Sequence, residues 1–136
     1  MENVIDKVME YLTHSKGGWY LATVEDGQPR VRPFGAQMVY NGKIYIQTSN
    51  QKKVYAQLKA NPRFEICAMI DGGKWMRLYG KAVEDETREA KVAMLEANPG
   101  LKRMYSADDG KTAVFYLEDA TADFCSFTAP TETVKL

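Results

Sequence analysis

A run of six polar residues, Thr48-Ser49-Asn50-Gln51-Lys52-Lys53, carries the side chains best suited to bind an anion. The run opens a predicted helix over residues 50–60, with Ser49 as its N-cap. A helix N-terminus is partly positive, so acids are stabilising there and lysines are not. Backbone N–H groups, hydroxyls and two ammonium groups at one helix start together suit a phosphate. The alternative is that both lysines extend into solvent, as surface lysines usually do.

The other two predicted helices follow the rule that the middle helix breaks. The helix over residues 3–14 has Asp6 in its first turn, and the helix over residues 86–97 opens with Glu86 and Glu89. Both choices complement the helix dipole. A bound anion at the start of the middle helix would turn its local conflict into a binding site.

The segment Arg30–Gly35 belongs to a predicted strand, yet it contains a proline and a glycine. Proline cannot donate to a strand ladder, and glycine within a strand often marks a bulge or a close backbone approach. The Asn41-Gly42 turn is a strong hairpin signal, and counting outward from it places Gly35 opposite Thr48. We therefore expect Arg32 beside the lysine-rich helix start. An edge strand with solvated arginines is the alternative.

A third candidate surface comes from the strand predicted over residues 74–84. Trp75, Arg77 and Tyr79 alternate along it and share one face, while the residues between them face the other way. An aromatic and basic face needs solvent, a partner chain or a flat anionic ligand to cover it.

Other kinds of chemistry lack the residues that they need. The two cysteines, Cys67 and Cys125, lie far apart in apolar stretches, so they form neither a disulfide framework nor a Cys-rich zinc site. We expect both to be buried thiols. The single histidine, His14, follows the first helix in a loop, which disfavours a His-based metal site and a Ser-His-Asp triad.

The elements that must position these residues predict a mainly β fold of the α+β kind. Several short antiparallel strands favour a barrel, because closure removes exposed edges. We expect an antiparallel, Greek-key-like split β-barrel of six to seven strands with about three peripheral helices. The predicted strands lie near residues 19–25, 30–40, 43–48, 63–71, 74–84, 112–118 and 121–127.

Composition limits the function classes. The 136 residues carry 18 basic and 18 acidic side chains, so no global positive field attracts nucleic acid or an anionic membrane. No apolar run approaches the roughly 20 residues that span a bilayer. The first residues lack the pattern of a secretory signal. We expect a single domain over residues 1–136, located in the cytoplasm.

The order of these motifs resembles the pyridoxamine 5′-phosphate oxidase-like family, the FMN-binding split β-barrel. The resemblance rests on an RVRPFG strand, an Asn-Gly hairpin, an IQTS strand end, a KKV helix start, an Asn-Pro stop and a WMRLYG strand. It runs from about Gly18 to Phe127. It implies a homodimer with two FMN molecules at the subunit interface.

The resemblance also implies roles for matching positions. The strand that follows the flavin and its ribityl chain matches Arg32, Pro33, Phe34 and Gly35, with Arg32 reaching the phosphate. The strand end that meets the phosphate and ribityl groups matches Gln47, Thr48 and Ser49. The basic pair that binds the phosphate matches Lys52 and Lys53, and the later strand that contacts the flavin matches Trp75 and Arg77.

The implied function is that of an FMN-dependent oxidoreductase resembling flavin reductases and nitroreductases. It would pass electrons from a reduced nicotinamide or a protein donor to a small-molecule acceptor. The chain ends in TAPTETVKL and has no Arg-x-His segment like the one that holds pyridoxal in the true oxidase. The alternative is a non-catalytic dimer that binds or stores FMN, haem or another flat ligand.

Overall fold

The computed structural model describes residues 3–136, which form eight β-strands and three α-helices. Each helix begins one to three residues later than the periodicity predicts. The helices are α1 (Val4–His14), α2 (Lys53–Ala60) and α3 (Arg88–Ala97), and a short 3-10 helix (Pro99–Arg103) follows α3. The strands are β1 (Trp19–Glu25), β2 (Gln28–Phe34), β3 (Gln37–Tyr40), β4 (Lys43–Ser49), β5 (Arg63–Ile70), β6 (Lys74–Asp85), β7 (Thr112–Ser126) and β8 (Glu132–Lys135).

Local sequence explains where these elements start and turn. The side chain of Asn3 caps α1 by accepting a hydrogen bond from the backbone N–H of Ile5 at 2.8 Å. The Asp26-Gly27 and Asn41-Gly42 hairpins form as predicted. At both turns the two residues have positive φ, which two-residue hairpin turns favour.

The strands form one antiparallel sheet in the order β2-β1-β5-β6-β7-β4-β3, with β8 added beside β7. The strands at the two ends of this order, β2 and β3, follow one another in the chain and are joined by Gly35 and Ala36 alone. The sheet must therefore curl until its two edges meet. No pairing joins β2 to β3 within residues 3–136, so the barrel stays open there. We call this opening the seam.

The inside of the curled sheet holds the main core. Trp19, Leu21, Ile66 and Met76 are completely buried there, and Val8 on α1 joins them from one end. A smaller cluster packs α3 against the sheet through Met38, Tyr45, Ala90, Met94 and Val114. Val54 and Leu58 of α2 belong to the main core, so the two clusters hold α2 and α3 against the sheet.

Two strand predictions are wrong, and both errors concern continuity. The strand predicted over residues 30–40 is two strands, because the chain leaves β2 at Gly35 and enters the other edge of the sheet at Gln37. The two closing strands predicted over residues 112–127 are one strand, since Asp119 takes a φ of 50° beside an irregularity in the pairing with β6 and the strand continues. The tail adds β8, which brings the sheet to eight strands in the described chain.

The expectation of two buried cysteines is also wrong. Cys67 is exposed and Cys125 is partly exposed. Strand alternation gives the reason, because Ile66 and Ala68 face the core on either side of Cys67.

Two further expectations concern membranes and metals. No helix within residues 3–136 is long and apolar enough to cross a bilayer. The same residues contain no group of three or more His, Cys, Asp or Glu side chains able to hold a metal ion.

Candidate functional site

Two adjoining cavities lie at the seam and share Lys52 as a common wall. The larger has a volume of about 630 Å³ and the smaller about 420 Å³. The residues between Pro33 and Ala36 line the larger cavity, and Arg30 to Arg32 line the smaller one. The break between β2 and β3 at Gly35 and Ala36 thus borders the larger cavity, and β2 itself borders the smaller one.

The smaller cavity is basic. Arg30 and Arg32 reach it from β2, and Lys52 and Lys53 reach it from the start of α2. The one carboxylate among its lining residues is Glu25, which accepts a hydrogen bond from Arg30 Nε at 3.2 Å. Four cations against one acid leave a local excess of positive charge in a chain with zero net charge. This excess suits an anionic group.

Arg32 is the most enclosed of these cations. Its Nη1 donates to the Thr23 hydroxyl at 2.8 Å and to the Leu21 carbonyl at 3.2 Å, and its Nη2 donates to Gln57 Oε1 at 2.6 Å. Within residues 3–136 it pairs with no carboxylate. Partial burial, followed by the neighbouring charge of Arg30, lowers the pKa of Arg32. The arginine is thus oriented by neutral acceptors and keeps its charge.

The start of α2 differs in detail from the prediction. Lys52 is the N-cap residue, it makes no side-chain capping bond, and Lys53 is the first helical residue. Ser49 is therefore not the cap, and its buried hydroxyl instead accepts from the N–H of Gln51 at 3.2 Å. The electrostatic conflict remains, since α2 has no acid in its first turn whereas α1 has Asp6.

The larger cavity is mostly apolar and has two walls. One wall consists of residues 33–36 together with Gln47 and Thr48 at the end of β4. The other is the segment 97–105, which covers the end of α3 and the 3-10 helix. Asn98 ties the second wall to the sheet, because its Nδ2 donates to the Gln37 carbonyl at 3.1 Å and to the Met94 carbonyl at 3.2 Å.

Three polar atoms beside the larger cavity are buried and lack a hydrogen-bond partner in the described chain. They are Nε2 and Oε1 of Gln47 and Oγ1 of Thr48. Leaving a buried polar group unsatisfied costs about 1–3 kcal/mol. Native structures rarely tolerate three such atoms together without a ligand or ordered water. Gln47 and Thr48 both line this cavity, so its wall carries hydrogen-bonding capacity that the described chain does not use.

The structure brings together most of the residues that the sequence singles out. Those that line one of the cavities are Arg32, Pro33, Phe34, Gly35, Gln47, Thr48, Lys52 and Lys53. Ser49 lies next to them but lines neither cavity. Trp75 and Arg77 also line neither cavity and lie on the outward face of β6, where Arg77 Nε donates to Glu65 at 2.6 Å.

Sequence reasoning missed two sets of site residues. Thr23, Glu25 and Gln57 surround Arg32, and their only sequence signal is polarity at positions that face inward. The second set is the segment 97–105, where the sequence predicts only the end of the helix over residues 86–97. Nothing in its local pattern shows that it folds over the strand ends.

The geometry of the two cavities defines a class of binding site. An open barrel with a basic cavity beside a larger apolar one suits an elongated ligand with an anionic end and a flat or apolar body. The described residues that line the two cavities include no serine, cysteine or histidine.

Comparisons with known proteins agree with this class. The family model for pyridoxamine 5′-phosphate oxidase matches residues 5–125. A crystal structure of a NimC/NimA family protein from Clostridium acetobutylicum is 46% identical, with a TM-score of 0.92 over 96% of this chain and 91% of that one. The chain therefore belongs to the pyridoxamine 5′-phosphate oxidase family, which confirms the resemblance. No curated protein matches it at a significant level.

More distant structures share the fold. A pyridoxamine 5′-phosphate oxidase-related, FMN-binding protein from Nostoc punctiforme is 12% identical, with a TM-score of 0.72 over 100% of this chain and 97% of that one. A haem-binding protein from Mycobacterium smegmatis is 18% identical, with a TM-score of 0.68 over 93% of this chain and 56% of that one. At these identities the likeness establishes the split-barrel fold alone.

Proposed function

We propose that the protein binds FMN and acts as an FMN-dependent oxidoreductase on a small planar or nitroaromatic molecule. The observation that carries the proposal is the pairing of a basic cavity with a larger cavity whose wall holds three unsatisfied buried polar atoms. FMN has a dianionic phosphate at one end and a flat ring edged with donors and acceptors at the other. The two cavities offer matching surroundings for both ends.

The residues present fit the group. Arg32, Lys52 and Lys53 would hold the phosphate, and Gln47 and Thr48 would bind polar atoms of the ribityl chain or ring. When bound, FMN supplies the capacity to accept and pass on electrons. The protein then contributes binding, orientation and exclusion of water, which agrees with a lining that has no nucleophile and base.

The segment 97–105 forms the second wall of the apolar cavity, and a flat ring packed against it would exclude solvent from that wall. Its leucine, methionine and tyrosine at positions 101, 104 and 105 offer apolar and aromatic surface to a flat ring. Water exclusion strengthens the electrostatic interactions made inside a site.

We further propose that two copies associate through the outward face of the sheet. Tyr20, Val31, Met69 and Phe127 are 49%, 68%, 51% and 80% exposed, and the pairing register places the first three on one surface. Trp75 adjoins them, with its ring centroid 5.0 Å from that of Phe127. Contiguous apolar surface of this kind marks an association site.

Such a dimer gives Trp75 and Arg77 a place in the interface, although neither lines a cavity of its own chain. Their proposed contact with flavin would then be made toward the partner's site.

The charge of the smaller cavity favours FMN over haem. Haem iron is most often held by histidine, and His14 lies at the end of α1, where it lines neither cavity. Four gathered cations suit a phosphate better than a metal-centred macrocycle.

The absorption spectrum of the purified protein tests the proposal. We expect the bands of bound flavin, and release of FMN rather than riboflavin or haem on denaturation. A colourless protein whose melting temperature does not rise on addition of FMN would contradict it. Steady-state oxidation of NADH or NADPH by the loaded protein, with a nitroaromatic acceptor, separates an oxidoreductase from a storage dimer.

A further inference from the structure

We propose that Gln57 and Thr23 are positioning residues that hold Arg32 ready for a phosphate without neutralising its charge. The inference rests on the proposed function, since it concerns the same phosphate site. Gln57 lies on α2 and Thr23 on β1, and they are only 5% and 2% exposed. Because both side chains are buried, their hydrogen bonds to Arg32 belong to the interior of the protein and are not surface contacts.

The three side chains form one closed hydrogen-bonded unit. The Thr23 hydroxyl donates to Gln57 Oε1 at 2.6 Å and accepts from Arg32 Nη1 at 2.8 Å. Arg32 Nη2 donates to the same Gln57 oxygen at 2.6 Å. Every member of the triangle is therefore fixed by the other two.

Chemistry fixes the orientation of the Gln57 amide. Arginine can only donate hydrogen bonds, so the amide atom that faces Arg32 must be the oxygen. An ionised carboxylate can only accept, and Gln57 Nε2 faces Glu25 Oε2 at 3.4 Å. Glu25 is in turn paired with Arg30 at 3.1 Å. A continuous series of polar contacts thus connects Arg30, through Glu25 and Gln57, to Arg32.

Counting donors shows what remains for a ligand. A guanidinium has five N–H donors, and three of those on Arg32 are directed at Thr23, Gln57 and the Leu21 carbonyl. The Thr23 and Gln57 oxygens lie 2.6 Å apart and so occupy one edge of the guanidinium. The Nε–H and the second Nη2–H, on the adjacent edge, have no acceptor in the described part of the chain. Two parallel donors of this kind match two phosphate oxygens.

The neutrality of Gln57 is the decisive property. Arg30, Arg77 and Arg88 each form an ion pair with a carboxylate, at 3.1, 2.6 and 2.9 Å respectively. Arg32 is held instead by an amide, a hydroxyl and a carbonyl, so its charge is oriented but left uncompensated. A glutamate at position 57 would have the same shape and would occupy Arg32 as an internal anion.

Comparison of FMN with riboflavin separates this role from a merely structural one. Riboflavin lacks the phosphate, so a residue that acts through Arg32 affects FMN alone, whereas general loosening of the site weakens both ligands. The variants are Gln57→Leu, Gln57→Glu and Thr23→Val, with Thr23→Ser as the conservative rescue. Titration of each apoprotein followed by flavin fluorescence gives both dissociation constants.

We expect Gln57→Leu and Thr23→Val to weaken FMN binding about tenfold or more while riboflavin binding changes less than about twofold. Gln57→Glu should weaken FMN further, because the new carboxylate pairs with Arg32. The melting temperature of its apoprotein is measured alongside, since the same change replaces the Nε2 donor to Glu25 with a second acid. Thr23→Ser should bind both flavins like the wild type.

Equal weakening of both flavins, or unchanged FMN binding in Gln57→Glu, would overturn the proposal. The near-isosteric glutamate variant keeps the test decisive if the leucine or valine variant does not fold. Failure of the proposed function is visible separately, since wild-type protein would then bind FMN no more tightly than riboflavin.

Discussion

The indole Nε1 of Trp19 donates a hydrogen bond to the side-chain Oε1 of Gln37 at 2.9 Å, and this bond crosses the seam. Trp19 lies on β1, its ring packs 5.4 Å from that of Phe34 on β2, and Gln37 begins β3. One polar contact thus connects β1, the neighbour of the edge strand β2, to the opposite edge strand β3.

Replacement of Gln37 tests that connection. Gln37→Leu leaves the completely buried Trp19 N–H without its acceptor, so we expect the free energy of unfolding to fall by about 1–3 kcal/mol. Urea denaturation measures the change. Gln28→Leu is the matched control, because Gln28 is exposed and its side chain bonds only the adjacent Pro29 carbonyl. Equal stability of the two variants would show that the bond across the seam contributes nothing.

The basic cavity gives a prediction about cofactor content. The double variant Arg32→Ala, Lys53→Ala removes two of its four cations, so we expect purified protein to retain less than about a tenth of the wild-type flavin. Arg63→Ala with Lys81→Ala removes the same charge from β5 and β6, away from both cavities, and should keep its flavin. Flavin-to-protein absorbance ratios provide the measurement. Full flavin content in the first variant would contradict the phosphate assignment.

The unsatisfied atoms at the larger cavity predict effects of opposite sign on stability and binding. Thr48→Val removes a buried hydroxyl that has no partner in the described chain, so we expect the ligand-free protein to gain about 1 kcal/mol in unfolding free energy. The same change should weaken flavin binding, because the hydroxyl is then missing from the ligand.

The control for this prediction is Thr112→Val. Thr112 is as buried as Thr48, but its hydroxyl is hydrogen-bonded to Asp109 Oδ2 at 2.9 Å. We expect that variant to lose stability and to bind flavin normally. Destabilisation of the ligand-free protein by Thr48→Val would mean that its hydroxyl is satisfied without a ligand.

The outward face of the sheet predicts a dimer that a single charge can disrupt. Met69 lies on this face between Tyr20 and Trp75 in the strand register, so Met69→Glu should leave the protein monomeric at micromolar concentration. Val39→Glu places the same charge on an apolar residue of similar exposure on β3 and should leave the dimer intact. Size-exclusion chromatography with light scattering distinguishes the outcomes. A monomeric wild type would refute the proposed association.

The turn at Asp109 predicts an acid-dependent loss of stability. Burial alone would raise the pKa of Asp109, but hydrogen bonds from the N–H groups of Thr112, Ser106 and Lys111, with the Thr112 hydroxyl, lower it well below its ordinary value. The unfolded chain therefore binds a proton at higher pH than the folded chain. This carboxylate stabilises the fold above about pH 4, and its contribution is lost as the pH falls toward the lowered pKa.

Asp109→Asn isolates that contribution. The variant should be less stable than the wild type at pH 7, because an amide nitrogen replaces an acceptor oxygen in the turn. We expect the difference between the urea midpoints to narrow as the pH is lowered from 5 to 2.5. A difference that stays constant over this range would rule out the carboxylate as its source.

Much of the site could be predicted because it contradicts local rules. Pro33 and Gly35 in a strand, and Lys52 and Lys53 at a helix start, are choices that a purely structural segment avoids. The Asn41-Gly42 hairpin predicts that these residues lie close together, because its register places the strand around Gly35 beside the strand end that precedes Lys52. The cavities lie where these exceptions meet.

The remainder depends on tertiary contacts that leave no local signal. Alternation cannot show that the strand around Gly35 changes sheet edges, because both halves look like strand. The segment 97–105 has ordinary turn residues, and only packing of α3 on β3 brings it over the cavity. The exposure of Cys67 was readable, since Phe64, Ile66 and Ala68 fix the inward positions of β5.

The opening between β2 and β3 also determines where local unfolding of the sheet begins. Each of these strands is hydrogen-bonded along one side only, so the smallest local opening detaches an edge strand and exposes its amides to solvent deuterium. A molecule that contacts residues 33–36 and Gln47 together would brace both edges. Binding of such a molecule would then slow amide exchange in these two strands alone. This slowing would be measurable whether or not the bound molecule reacts.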